Sequence, residues 1–283
     1  MGIPLCSAQF LKSERRRGVT FSRLLTLGRQ SIYMEEEEYR DVLSALGVNA
    51  RECQYSDDLF RALGAMSIDV MDVSKYEGAN LIHDLNLPID PQFHRRYDCV
   101  FDGGALEHVF NFPAALKSCM EMVDVGGHFI TTVPGNNYCG HGFYQFSPEL
   151  FFNTLSVENG FQVERLLFTH RGRWYAVKNP KEVKSRVELF TDEYTLFFLS
   201  AKRVEAKEIF RTWPQQSDYV AHWDAQPASV PSANGTKESL IRALPFLRDL
   251  QTRWRAYKSF QRASPSNRDW FTPIDLDAPE IEG

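Results

Sequence analysis

Two short stretches place side chains able to do acid–base chemistry close together in the chain. Leu106-Glu107-His108-Val109 sets a carboxylate beside a histidine. Gly140-His141-Gly142-Phe143-Tyr144 sets a second histidine and a tyrosine in a glycine-flanked aromatic loop. Histidine titrates near neutral pH, so His108 and His141 are candidates for moving a proton, with Tyr144 a third. Each has a plainer reading: His108 as a helix-start histidine satisfied by local hydrogen bonds, and the loop as packed surface with aromatic anchors. Asn136 and Asn137 are candidates to orient a polar substrate. Glu107, His108 and His141 could gather around a metal, but their spacing does not demand it, and no metal is expected. Cys139 beside this loop reads as a small buried cysteine and not as a nucleophile. No GxxxxGK[ST] phosphate loop, GxSxG elbow, HExxH or paired CxxC occurs.

The bulk numbers set the frame. The chain has 283 residues, net charge −5, 43% hydrophobic and 24% charged residues, enough for one large domain with an appendage. That charge argues against nucleic acid as a partner. The short run Glu14-Arg15-Arg16-Arg17 reads as solvated. No apolar run reaches the roughly 18 residues a membrane span needs, and the start lacks a signal-peptide pattern. Five scattered cysteines suggest free thiols and a cytoplasmic location.

Elements that would position these groups follow from periodicity and turn residues. Strands are expected at 23–28, 67–72, 80–83, 97–101, 128–133 (ended by Pro134), 161–168 and 194–201. Helices are expected at 34–46, 57–63, 111–123 and 148–155. The polar stretch 169–186 reads as too long for a tight hairpin. The expected division is 1–20 a leader, packed or partly loose, 21–203 the main domain, 204–237 a linker or flexible segment, and 238–283 a helix, distorted at Pro245, with a loose tail. Apolar strands alternating with helices predict an α/β fold: a Rossmann-like, doubly wound, mostly parallel sheet with helices on both faces, plus a C-terminal helical extension. Such sheets bind ligands beyond the carboxyl ends of their strands, where strand order reverses. Asp72 would sit there, able to accept hydrogen bonds from two ribose hydroxyls. Asp69 on the same strand is the alternative, and a cap for the next segment is the plainer role of Asp72. Asp84 and the group Asp102, Gly103 and Gly104 occupy comparable strand ends, where simple turns would need the same residues.

Four phrases, 97–109 (YDCVFDGGALEHV), 125–134 (VGGHFITTVP), 140–152 (GHGFYQFSPELFF) and 159–167 (NGFQVERLL), resemble the second half of class I S-adenosylmethionine-dependent methyltransferases of the small-molecule type. The resemblance spans about 23–201. It implies S-adenosylmethionine as cofactor, Asp72 on its ribose, Asp84 near its adenine amino group, and Asp102 and Gly103 near its amino-acid part. It places His108 near the methyl-transfer pocket and implies a small-molecule or sugar-like acceptor, with a homo-oligomer left open. The family's first loop departs here: Gly28 is kept, but Gln30 and Ile32 stand where later glycines would be, and Thr26 where an acid would be. Either Arg29 or Gln30 meets the cofactor's carboxylate at a helix N-terminus, or the domain has kept the fold without activity and serves as a binding or scaffold module. If Gln30 and Ile32 fill the cofactor space, the second reading gains. A nicotinamide enzyme is a weaker third option, since it too needs the missing glycines.

Overall fold

Residues 2–48, 55–219 and 245–278 are described by the computed structural model. The strands are β1 (Gly2–Pro4), β2 (Arg23–Leu27), β3 (Ser31–Tyr33), β4 (Ser67–Asp72), β5 (Leu81–Ile82), β6 (Tyr97–Asp102), β7 (Val123–Asn136), β8 (Phe161–His170), β9 (Arg173–Val177), β10 (Thr195–Arg203) and β11 (Phe271–Ile274). The α-helices are α1 (Leu5–Arg16), α2 (Glu36–Ala45), α3 (Asp57–Ala62), α4 (Phe112–Met122), α5 (Pro148–Thr154), α6 (Pro180–Val183) and, numbered here α7, Pro245–Ala263.

Nine strands form one sheet in the order β11-β9-β8-β10-β7-β6-β2-β4-β5. The run β5-β4-β2-β6-β7 is parallel throughout. The chain builds outward from β2 through β4 to β5, then returns to the other side of β2 for β6 and β7, so strand order reverses between β2 and β6. Beyond β7 the pairings are antiparallel, which leaves only β10 and β9 running against the other seven. This is the doubly wound sheet that the sequence predicts.

Alternating strand residues point to opposite faces and build two cores. On one face Leu25, Leu27, Val100, Phe129 and Val133 meet Phe112, Leu116 and Cys119 of α4 and Phe151 of α5. On the other, Leu24, Cys99, Phe101 and Ile130 meet Phe10 and Leu11 of α1, Tyr39 and Leu43 of α2, and Phe60 of α3. Helix α2 starts with a reciprocal capping box between Glu35 and Glu38, and its first turn is acidic, which suits the positive end of the helix dipole.

Several expectations need correction. Of the two readings of the first residues, packed or partly loose, the structure has the packed one, with more structure than expected: they form β1 and α1, with Ile3, Ala8, Phe10 and Leu11 fully buried. Glu14 is not solvated either. It is fully buried and takes a 2.9 Å bond from Arg165, which reaches from β8 to Ser13 and Glu14 at the end of α1. The stretch after 168 does contain a tight hairpin: His170 pairs with Arg173, and Arg171 and Gly172 adopt φ of 50° and 71°, the left-handed pair a two-residue turn needs. The tail supplies β11, which pairs with β9 from Phe271 to Ile274. Pro134 does not end β7, which runs on to Asn136. Expectations for 220–244 fall outside the described residues.

Candidate active site at the strand-order reversal

The first loop closes upon itself. Gly28 turns at φ 66°, and its N–H donates to the Met71 carbonyl at 2.7 Å, locking the end of β2 to β4. Arg29 turns away, pairing with Asp57 at 3.2 Å and lying over the Tyr55 ring at 4.3 Å. Gln30 is 1% exposed and folds back, donating from Nε2 to the Leu27 carbonyl at 2.7 Å. Its Oε1 is buried without a partner. A Cβ on Gly103 would fall 2.3 Å from that oxygen, so the open space at Gly103 is occupied by the Gln30 amide. No helix start follows this loop. Ser31–Tyr33 pairs instead with Gly2–Pro4 as parallel strands, and the helix begins only at Glu36. Half-buried Ile32 packs on the core beneath α1, α2 and α3.

The acidic candidates separate by what they already hold. Asp69 and Asp72, three apart on β4, lie on opposite faces. Asp69 takes bonds from Asn80 at 2.7 Å and Tyr97 at 2.8 Å and is structural. Asp72 is half-buried and uses one oxygen on the Ser74 N–H at 3.2 Å; among the described residues the other oxygen has no hydrogen bond. Asp84 accepts from the backbone and side-chain N–H groups of Asn86, at 2.9 and 2.8 Å, which hold its carboxyl below the usual range. Asp102 points inward. It is fully buried and accepts from the Ala105 N–H at 2.7 Å and the Thr131 hydroxyl at 2.6 Å, and burial pushes its pKa up to about 6. It shapes the Gly103-Gly104 turn and presents nothing to a ligand.

On the other side of the reversal, three sequence candidates converge. A single turn at Leu106–His108 carries Glu107 and His108, and the loop after β7 brings in His141. Ligand atoms of all three lie within 4.8 Å of one another. His141 Nε2 is 3.5 Å from Glu107 Oε1, and the two imidazole rings meet edge-to-face at 4.9 Å. The loop can seat this closely because residue 142 is glycine: at φ 72°, a Cβ there would fall 2.7 Å from the Glu107 carbonyl, which accepts the Phe143 N–H at 2.7 Å. Glu107 is 2% exposed, and its Oε2 has no partner. Burial, with Asp102 nearby, pushes its pKa up to about 8. Burial and His141 hold His108 below the ordinary histidine value. Both histidines face outward, His141 with its side chain about half exposed, 51%.

Tyr144 lies beside this group but serves the loop: its hydroxyl donates to the Phe110 carbonyl at 2.6 Å, and its ring packs on Phe112 and Phe146. Asn136 and Asn137 bond Thr191 and the Glu193 carbonyl, anchoring the loop to the segment before β10. Cys139 is exposed. Tyr138, edge-to-face against His141 and tilted against Tyr194, forms a wall of the site that sequence reasoning missed. Its position inside an aromatic loop was the available signal. A cavity of about 990 Å³ lies elsewhere, between the end of α1 and β8, β9 and β11.

No protein-family model matches the chain, and no characterised protein matches it by sequence. Similarity to solved structures is found. A Burkholderia thailandensis 1,6-didemethyltoxoflavin-N1-methyltransferase, solved with bound 1,6-didemethyltoxoflavin and S-adenosylhomocysteine, is 12% identical over 70% of this chain and 79% of its own, with TM-score 0.39. The branched-chain polyamine synthase of Thermus thermophilus is 14% identical over 75% of this chain and 61% of its own, with TM-score 0.38. The methyltransferase domain of citrinin polyketide synthase is 11% identical over 72% of this chain and 52% of its own, with TM-score 0.40. What the chain shares with these enzymes is at most a broad fold class.

Proposed function

We propose that this chain transfers a methyl group from S-adenosylmethionine to a hydroxyl or amine of a small polar acceptor. The observation that carries the reading is the convergence of Glu107, His108 and His141 beside the strand-order reversal, across from the free carboxylate oxygen of Asp72. In a doubly wound sheet this is where a nucleotide-like ligand and its reaction partner meet. The cofactor would supply an electrophilic methyl group. Asp72 suits its ribose, because a carboxylate offers only acceptors to two hydroxyls. The wall formed by Tyr138 and Tyr194 would hold the acceptor against the cluster. An acceptor hydroxyl would donate its proton to the exposed His141 imidazole and keep a lone pair aimed at the methyl group for displacement.

The amino-acid end of the cofactor fits less well. The Gln30 amide fills the space at Gly103, so a ligand tail enters there only if Gln30 releases the Leu27 carbonyl. This observation favours the second reading, an inactive methyltransferase-like module that binds a partner. Calorimetric titration with S-adenosylmethionine and S-adenosylhomocysteine decides between them, using wild type, Asp72→Ala and Gln30→Gly. Binding to wild type that Asp72→Ala weakens at least about tenfold supports the enzyme. Absence of binding to wild type together with binding to Gln30→Gly identifies a plugged, inactive site. Absence of binding to both overturns the cofactor assignment.

A further inference from the structure

We propose that Glu107, His108 and His141 form a binding site for one divalent first-row transition ion. The sequence predicts no metal, since two adjacent residues and one 33 positions on have no recognisable ligand spacing. The fold supplies the missing link by seating Gly142 against the Glu107 carbonyl, which delivers His141 to the other two.

Three independent features point to a cation. The ligand atoms of one carboxylate and two imidazoles lie within 4.8 Å of one another. A tetrahedral ion with bonds of about 2.0–2.1 Å holds its ligands about 3.4 Å apart, so each pair must close by at most about 1.4 Å, which rotation of two outward-facing imidazoles can supply. Glu107 is 98% buried (2% exposed), with Oε1 turned toward His141 Nε2 at 3.5 Å and Oε2 without a partner, an arrangement that costs stability unless something satisfies the carboxylate. Finally, both histidines face outward, so a fourth coordination position opens toward the mouth and not into the core. A set of one oxygen and two imidazole nitrogens suits zinc, cobalt, iron or manganese better than magnesium or calcium, which prefer all-oxygen shells. An ion here would present its open position to the acceptor hydroxyl. That role rests on the proposed methyl transfer, whereas the ion's presence does not.

The test is binding, read without any reaction. The metal-free full chain is titrated with Co²⁺, followed by its visible absorption, and with Zn²⁺ by displacement. Expected is one equivalent with a d–d spectrum of a low-coordinate N/O site, unchanged in Asp72→Ala. Binding weakens at least about tenfold in both Glu107→Gln and His141→Ala. Because His141 is half exposed, His141→Ala keeps the fold and separates loss of a ligand from loss of structure. A lack of stoichiometric binding to wild type, or binding that survives both substitutions, overturns the proposal. Loss of cofactor binding in Asp72→Ala with intact cobalt binding would leave the ion in place whatever becomes of the methyl-transfer reading.

Discussion

The two sides of the strand-order reversal differ in how they treat their polar groups. Beyond β2 and β6, side chains are turned inward on the protein itself: Gln30 holds the Leu27 carbonyl, Asp102 holds Ala105 and Thr131, and Arg29 holds Asp57. Beyond β6 and under the loop after β7, Glu107 is buried with an oxygen unmatched, and two histidines stand beside it facing outward. Buried polar groups are ordinarily satisfied, so the unmatched oxygens of Glu107 and Gln30 both mark places where the fold accepts a cost. Both sides leave an oxygen unmatched, Gln30 Oε1 and Glu107 Oε2, so the contrast lies in the surroundings: the Gln30 amide is closed in by the protein, whereas Glu107 stands beside two exposed imidazoles.

Stability measurements can break this comparison. The largest effect is expected at Asp102, where substitution by Ala strands the Ala105 N–H and Thr131 hydroxyl and should lower unfolding free energy by about 3 kcal/mol in urea melts. The same residue gives a pH signature. Its pKa is about 6 in the folded chain against 3.8 for the free group, so between these values the folded state holds a proton that the unfolded state has lost. Its contribution should therefore fall as pH rises from about 4 to about 6 and stay level above, and Asp102→Asn should flatten that segment of the stability curve. Gln30→Gly should cost about 1–2 kcal/mol through a lost hydrogen bond and added chain entropy. A neutral or stabilising result would show that the first loop is not a cohesive element. Glu107→Leu should move the other way, raising stability by about 1 kcal/mol, because it removes an unmatched buried oxygen while filling the same space. Destabilisation there would mean that Glu107 serves the fold. The smallest change is expected for His141→Ala, within about 0.5 kcal/mol, since its side chain is half exposed.

Much of the frame was legible in the chain. The β4 range 67–72 follows directly from its residues, and α4 and α5 follow from helical spacing and from proline near their first positions. The reach of the sheet was harder to read. The β8–β9 hairpin turns on Arg171-Gly172, and β11 exists only because β9 offers it an edge. The N-terminal residues looked polar because α1 buries serines and a glutamate along with Phe10 and Leu11, so apolar spacing under-reports its packed face. In the candidate site, His108, His141 and Asp72 were named from their types, while Gln30 was marked as an intruder without any indication of where its side chain goes.

By itself the sequence determined the order of elements from β4 to β8, the doubly wound class and the residue types able to do chemistry, because periodicity, turn glycines and caps act over a few neighbouring residues. Only the tertiary structure decided that Asp102 faces inward, that Gln30 fills the space at Gly103, and that His141 reaches Glu107. Each of these depends on which distant segments pack together, and a side chain's direction is fixed by those partners and not by its neighbours in the chain.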